Sequence, residues 1–140
     1  MIRRKTVVKR ILNEAYCHLA PSKIHGVGVF AARPIAKGID PFLDGQPDSN
    51  NWVEILPDEY KAAQPGVRAI IKNLFVPTGD RVLVPVTGTN LISIGSYLNH
   101  SESPNMETED GNGFYASRRI ATGEELTVDY RTFGAEGLLR

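Results

Sequence analysis

The sequence predicts a mainly β domain of short strands with few short helices, and three observations carry that expectation. Its 13 glycines and 9 prolines are spread along all 140 residues with short apolar stretches between them, the punctuation of a turn-rich fold. Asp110-Gly111-Asn112-Gly113 is a strong hairpin signal, because these residue types tolerate the positive φ of tight turns. Strong helical stretches are few, and no repeat, low-complexity tract or linker interrupts the chain.

Taken in order, residues 1–13 form a basic arm, with Arg3, Arg4, Lys5, Lys9 and Arg10 and no acid among the first ten. Ala15–Ala20 and Gly28–Ala32 read as the first strands, and Pro34-Ile35-Ala36-Lys37-Gly38 as a turn. Asp40–Asn51, rich in Asp, Asn, Pro and Gly, reads as a loop. Trp52–Leu56 suits a strand. Pro57–Ala63 carries proline and acids where a helix's first turn wants them, and Pro65-Gly66 is expected to end that helix. Arg81–Val86 and Thr89–Ile94 suggest two strands about Thr87-Gly88. The hairpin signal joins Met106–Thr108 to Phe114–Ser117, and the last strand runs from Glu125 to Tyr130.

Size and composition bound the function. A chain of 140 residues that is 41% hydrophobic makes one domain with one core. Its formal net charge is zero, so nothing at whole-chain level argues for a nucleic-acid partner. The single cysteine, Cys17, excludes an internal disulfide and a multi-cysteine zinc cluster. No apolar run approaches the roughly 20 residues of a membrane-spanning helix. Together these point to a soluble, cytoplasmic protein with no membrane partner.

Two segments stand apart from ordinary core or surface. Asn99-His100-Ser101-Glu102-Ser103-Pro104-Asn105 follows an apolar run and favours local side-chain to backbone hydrogen bonds stiffened by proline, a rigid polar elbow suited to binding. Gly123-Glu124-Glu125-Leu126-Thr127-Val128-Asp129-Tyr130 is a turn followed by an alternating strand that ends on a tyrosine. Each has a plain alternative: the histidine as a satisfied structural group, Tyr130 as core filler with a polar tip, Glu125 and Asp129 as outward charges, Glu124 as a turn residue. Gly26-Val27-Gly28 entering a strand suits a plain turn or a close approach of backbone to a ligand, and no helix-opening third glycine makes it a dinucleotide site. His18, His25 and His100 fall at no metal-ligand spacing, and no Gly-x-Ser-x-Gly elbow supports a serine hydrolase.

In combination and in order, these segments resemble the SET-domain family of protein lysine methyltransferases. Gly26-Val27-Gly28-Val29-Phe30-Ala31 is similar to its opening strand and Pro34–Gly38 to the following turn. Asn99-His100-Ser101 with Pro104-Asn105 is similar to its central motif, and Gly123–Tyr130 to its closing one. The resemblance spans about residues 14–131, with 40–90 as a variable insert and 132–140 as a short tail. It implies a β-clip fold with a C-terminal pseudoknot, in which a threaded connection brings elbow and tyrosine together.

The resemblance further implies S-adenosylmethionine as cofactor and a protein lysine as substrate, with Tyr130 as the catalytic residue. His25, Gly26, Gly28, Asn99 and His100 would hold the cofactor, and Tyr97, Tyr115 and Phe133 would wall the lysine channel. Two alternatives stay open: a non-catalytic module that binds a peptide or cofactor, and a methyltransferase for a small amine. Many family members carry a cysteine-rich, zinc-binding segment after the tyrosine; residues 131–140 contain no cysteine, so no metal is expected. The missing wall would come from Phe133 or from the partner chain of a homodimer. Ser96 stands where many members have arginine, and Glu102 where cysteine commonly follows the motif serine.

Overall fold

The computed structural model describes residues 4–42, 52–75, 77–86, 88, 92–108 and 113–133. Its centre is a four-stranded sheet in the order β1 (Cys17–Pro21), β2 (Val27–Ala31), β9 (Glu125–Val128), β6 (Asn99–His100). The first two strands pair antiparallel from Cys17↔Ala31 to Pro21↔Val27. The last described strand, β9, lies between elements made far earlier: antiparallel to β2 at Val29↔Leu126 and parallel to β6 at Asn99↔Thr127. That insertion is the arrangement a threaded closing strand requires.

Strand alternation sorts the residues of β9. Leu126 and Val128 face the core with Val29, Ala31, Ile35, Phe42, Leu98, Met106, Ala116 and Ile120, all nearly inaccessible. Each of the larger side chains removed from water contributes about 1.5–3 kcal/mol, so this cluster fixes the register of the site strands. Ile35 and Ile120 exchange backbone hydrogen bonds of 2.9 and 2.8 Å, tying the turn after β2 to the turn before β9. Gly38, at φ +87°, supplies the left-handed residue that the first of these turns needs. The predicted hairpin pairing is present: β7 (Met106–Glu107) lies antiparallel to β8 (Tyr115–Ala116). The residues of the turn signal itself, 110–112, lie outside the described ones.

A second, smaller cluster sits under the insert. Strands β3 (Trp52–Ile55), β4 (Pro77–Thr78) and β5 (Arg81–Pro85) form a sheet with β5 central. Ile71, Phe75 and Val82 are buried beside Ile55, Tyr60, Leu74, Val84 and Ile92. The helix expected from Pro57 is α2 (Pro57–Ala62), where Glu59 Oε1 accepts the Leu56 N–H at 2.9 Å and supplies half of a capping box.

Four expectations are corrected. Pro65-Gly66 does not merely end α2: Pro65 is the first residue of α3 (Pro65–Leu74), a position where the missing N–H costs nothing. The basic arm is helical over Arg4–Glu14 (α1), with Arg33 Nη1 donating to the Asn13 carbonyl at 2.9 Å. Of Thr89–Ile94, the described end is not a strand; Ser93 Oγ accepts the Gly95 N–H and opens a 3-10 turn over Ile94–Tyr97. The closing strand stops at Val128, because its partner β6 is only two residues long. Tyr130 instead opens a 3-10 turn, Tyr130–Phe133, in which the Asp129 carbonyl accepts from Thr132 N–H and Oγ1 at 3.1 and 2.7 Å.

Candidate functional site

The face of the central sheet opposite the core carries the polar residues. On β9 these are Glu125 and Thr127, and Asn99 stands level with Thr127 in the parallel pair. Asn99 is only 3% exposed. Its Nδ2 lies 3.0 Å from the His25 carbonyl, 3.3 Å from the Val27 carbonyl and 2.9 Å from Glu125 Oε2. Two amide hydrogens thus serve three acceptors, which locks the side chain in one orientation. Asn105, also buried, donates to the Glu125 carbonyl and accepts the Thr127 N–H, both at 2.9 Å. The stiffness expected of the elbow is therefore built on β9 as well as within the elbow.

Ser22–Gly26 forms a tight loop beside this point. The Ser22 N–H donates to the Gly26 carbonyl at 2.8 Å, and Ser22 Oγ accepts the Ile24 and His25 N–H groups at 2.9 and 3.4 Å. Ser22 Oγ in turn donates to both oxygens of Glu125, at 2.8 and 2.9 Å. Glu125 is not an outward charge; its carboxylate crosses the place where Gly28 has no side chain. A Cβ on Gly28 would lie 2.9 Å from Glu125 Cδ and closer still to Oε2. Gly26, at φ +47°, has nothing within 4 Å of its Cβ position, so the loop's outer side is open.

His100 joins the elbow to the tyrosine. Its Nδ1 accepts the Tyr130 N–H at 3.1 Å, and the two rings lie 5.3 Å apart, tilted by 57°. Asp129 Oδ1 is 3.7 Å from the same nitrogen, but an ion pair there needs a proton on Nδ1, where the Tyr130 N–H already points. The shorter contact is the better description. Asp129 is instead clasped by Arg131, Nε to Oδ1 at 2.9 Å and Nη2 to Oδ2 at 2.6 Å. That pairing holds the Asp129 carboxyl down at about 2. Tyr130 Oη donates to the Leu98 carbonyl at 2.5 Å.

The predicted site residues thus divide. Asn99, His100 and Tyr130 come together through direct hydrogen bonds and ring contact, and the loop with His25 and Gly26 is held against Asn99. His25 takes part through its backbone, while the residue itself is exposed. Gly28 makes room for Glu125. Tyr97 is half-buried against the same core as Tyr130. Tyr115 stands on the β7–β8 ribbon opposite Glu107, and its neighbour Ala116 enters the main core. Phe133 closes the 3-10 turn after Tyr130, and the placement of its side chain lies outside what the structure describes. Ser22 and Glu125 were missed as site residues; the one local signal was Gly28, whose lack of a side chain implies that another group fills the space.

The arrangement suits a ligand with polar and cationic parts. The open side of Gly26 and the loop backbone adjoin Asn99, and His100 links the elbow to Tyr130, so the residues present fit S-adenosylmethionine. Among the described residues, no group of three or more His, Cys, Asp or Glu is arranged to hold a metal ion.

The family model of the SET domain matches residues 26–131. The Drosophila melanogaster histone-lysine N-methyltransferase trr is 34% identical over 123 residues, taking in 81% of this chain but only 5% of the relative's own length. A solved Plasmodium falciparum structure described as a histone methyltransferase superposes with a TM-score of 0.50 at 20% identity, over 82% of this chain and 92% of that one.

Proposed function

The chain belongs to the SET-domain family, and from that premise we propose that it transfers a methyl group from S-adenosylmethionine to the side-chain amine of a protein lysine. The observation that carries the reading is the junction of elbow and tyrosine: Tyr130 N–H on His100 Nδ1 and Tyr130 Oη on the Leu98 carbonyl. The cofactor supplies, when bound, a methyl group on a positively charged sulfur. Asn99, His100 and the backbone of His25 and Gly26 hold it, with Gly28 leaving the space behind them for Glu125.

Tyr130 orients the amine. Its hydroxyl hydrogen is committed to Leu98, so its oxygen faces the substrate as an acceptor. An amine N–H donated to that oxygen leaves the nitrogen lone pair free to point at the methyl carbon, an alignment that accounts for much of the rate. Lysine must first lose its proton, since fewer than about one in a thousand is neutral at pH 7. An apolar channel would disfavour the ammonium, and so would the positive charge that the cofactor supplies, so the proton would leave to solvent before transfer. Tyr97, Tyr115 and Phe133 are the proposed channel walls, completed by a second copy of the chain in a cytoplasmic homodimer.

A purified sample given radiolabelled methyl donor, with lysine-bearing proteins in one set and small amines in another, tests the reading. Label on a protein lysine, lost in Tyr130→Phe, is the expected result. Label on small amines alone changes the substrate class, and cofactor binding with no transfer to either leaves a binding module.

A further inference from the structure

Glu125 occupies a position that the strand pattern does not explain. It lies on the side of β9 away from the core, opposite Phe30, yet its carboxylate turns into the structure. Its side-chain partners there are Ser22 Oγ and Asn99 Nδ2, both uncharged donors. Among the described residues no lysine, arginine or histidine forms an ion pair with it. A carboxylate taken partly out of water without a cation is costly, so its hydrogen bonds must be the reason it is there.

Those bonds converge on one residue. Ser22 Oγ accepts the His25 N–H at 3.4 Å and the Ile24 N–H at 2.9 Å. Asn99 Nδ2 reaches the His25 carbonyl at 3.0 Å and the Val27 carbonyl at 3.3 Å. Both peptide groups of His25 are therefore set by the two side chains that Glu125 anchors. Gly28 leaves the anchor its space.

We propose that Glu125 is a positioning residue of the cofactor site: through Ser22 and Asn99 it fixes both peptide groups of His25, and so shapes the loop backbone that takes up S-adenosylmethionine. The inference rests on the function proposed above and adds to it a residue that touches neither cofactor nor substrate.

Calorimetric titration of S-adenosylmethionine, and separately of S-adenosylhomocysteine, into the purified full chain tests it, with melting temperature measured in parallel. Glu125→Ala weakens both ligands by about tenfold or more, the loss of a charge-assisted pair of hydrogen bonds. Glu125→Gln stays within about threefold of wild type, because its amide oxygen can still accept from both Asn99 Nδ2 and the Ser22 hydroxyl. This rescue by the isostere is the result a purely electrostatic role would not give. Wild-type affinity in Glu125→Ala, or equal loss in Glu125→Ala and Glu125→Gln, overturns the proposal. If Glu125→Ala does not fold, Ser22→Ala decides: weaker binding at an unchanged melting temperature supports it, and unchanged binding overturns it. A wild-type chain that binds neither ligand overturns the methyltransferase reading itself, a distinct result.

Discussion

The backbone N–H of Tyr130 donates to Nδ1 of His100 at 3.1 Å, although the two residues stand 30 positions apart in the chain. The bond aligns the last turn of the domain with the elbow, and the tilted ring contact of 5.3 Å limits how the tyrosine can swing. Replacement by His100→Ala removes both acceptor and ring, and should destabilise the fold by about 1–3 kcal/mol in urea unfolding. His100→Asn, which restores an acceptor without the ring, should recover part of that loss.

For Tyr130→Phe the expected effect is on turnover. Methyl transfer falls by about tenfold or more, as a lost orienting contact of roughly 1.4 kcal/mol or above requires. Cofactor affinity by calorimetry stays within about twofold. Equal turnover by the two proteins on one substrate would remove the catalytic role.

Asn99→Asp tests the buried amide. The new carboxylate faces two carbonyl oxygens and Glu125, all acceptors, where the amide donated to each. A buried unpaired charge of this kind costs about 3–5 kcal/mol, so the variant should be largely unfolded or strongly destabilised at pH 7. Acidification to pH 5 should recover part of the stability, and Asn99→Ala should lose cofactor binding with a smaller loss of stability.

Gly28→Ala tests the space filled by Glu125. The added methyl meets the carboxylate directly, and overpacking of that kind costs about 1–3 kcal/mol. In a Glu125→Ala background the same change should cost much less. A double-mutant cycle with additive costs would rule out the contact.

Two aspartates should respond to pH in opposite directions. Asp129 is held down at about 2 by Arg131, below the ordinary 3.8, so its stabilising contribution is complete above 3.8 and lost as pH falls through about 2. Arg131→Met should therefore lower stability at pH 6 and lose its effect in strong acid. Burial raises Asp40, against the pull of hydrogen bonds from the Phe42 and Phe114 backbone, so ionisation of Asp40 opposes folding at neutral pH. Asp40→Asn can still accept the Phe42 N–H, now 2.8 Å from Oδ1, and should raise the urea midpoint at pH 7 with little gain at pH 3.

What could be read in the chain and what could not separate along physical lines. Asn99-His100 and Tyr130 were legible because their residue types are unusual together, although the alternation that marked the closing strand carried the expectation two residues too far, to Tyr130. The strands 52–55 and 81–85 were legible from β-branched runs between turn residues. Glu125 looked like a surface charge because its partner Ser22 lies 103 residues away, a distance no local pattern spans. In α1 the basic residues obscured the recurrence of Val8, Ile11 and Leu12 at helical spacing. At Pro65 the same residue that stops one helix begins another, and the spacing of Val67, Ile70, Ile71 and Leu74 was the overlooked sign.

The placement of β9 between β2 and β6 has a consequence for folding. Contacts that complete the centre through β9 and the turn after it span 26, 30 and 103 positions, and all wait for residues 125–130 to be in place. Pairings so distant in sequence form slowly. A chain cut before Glu125 keeps the hairpin and the elbow but lacks the strand that pairs with both, so binding competence arrives in one step with β9 and not by degrees.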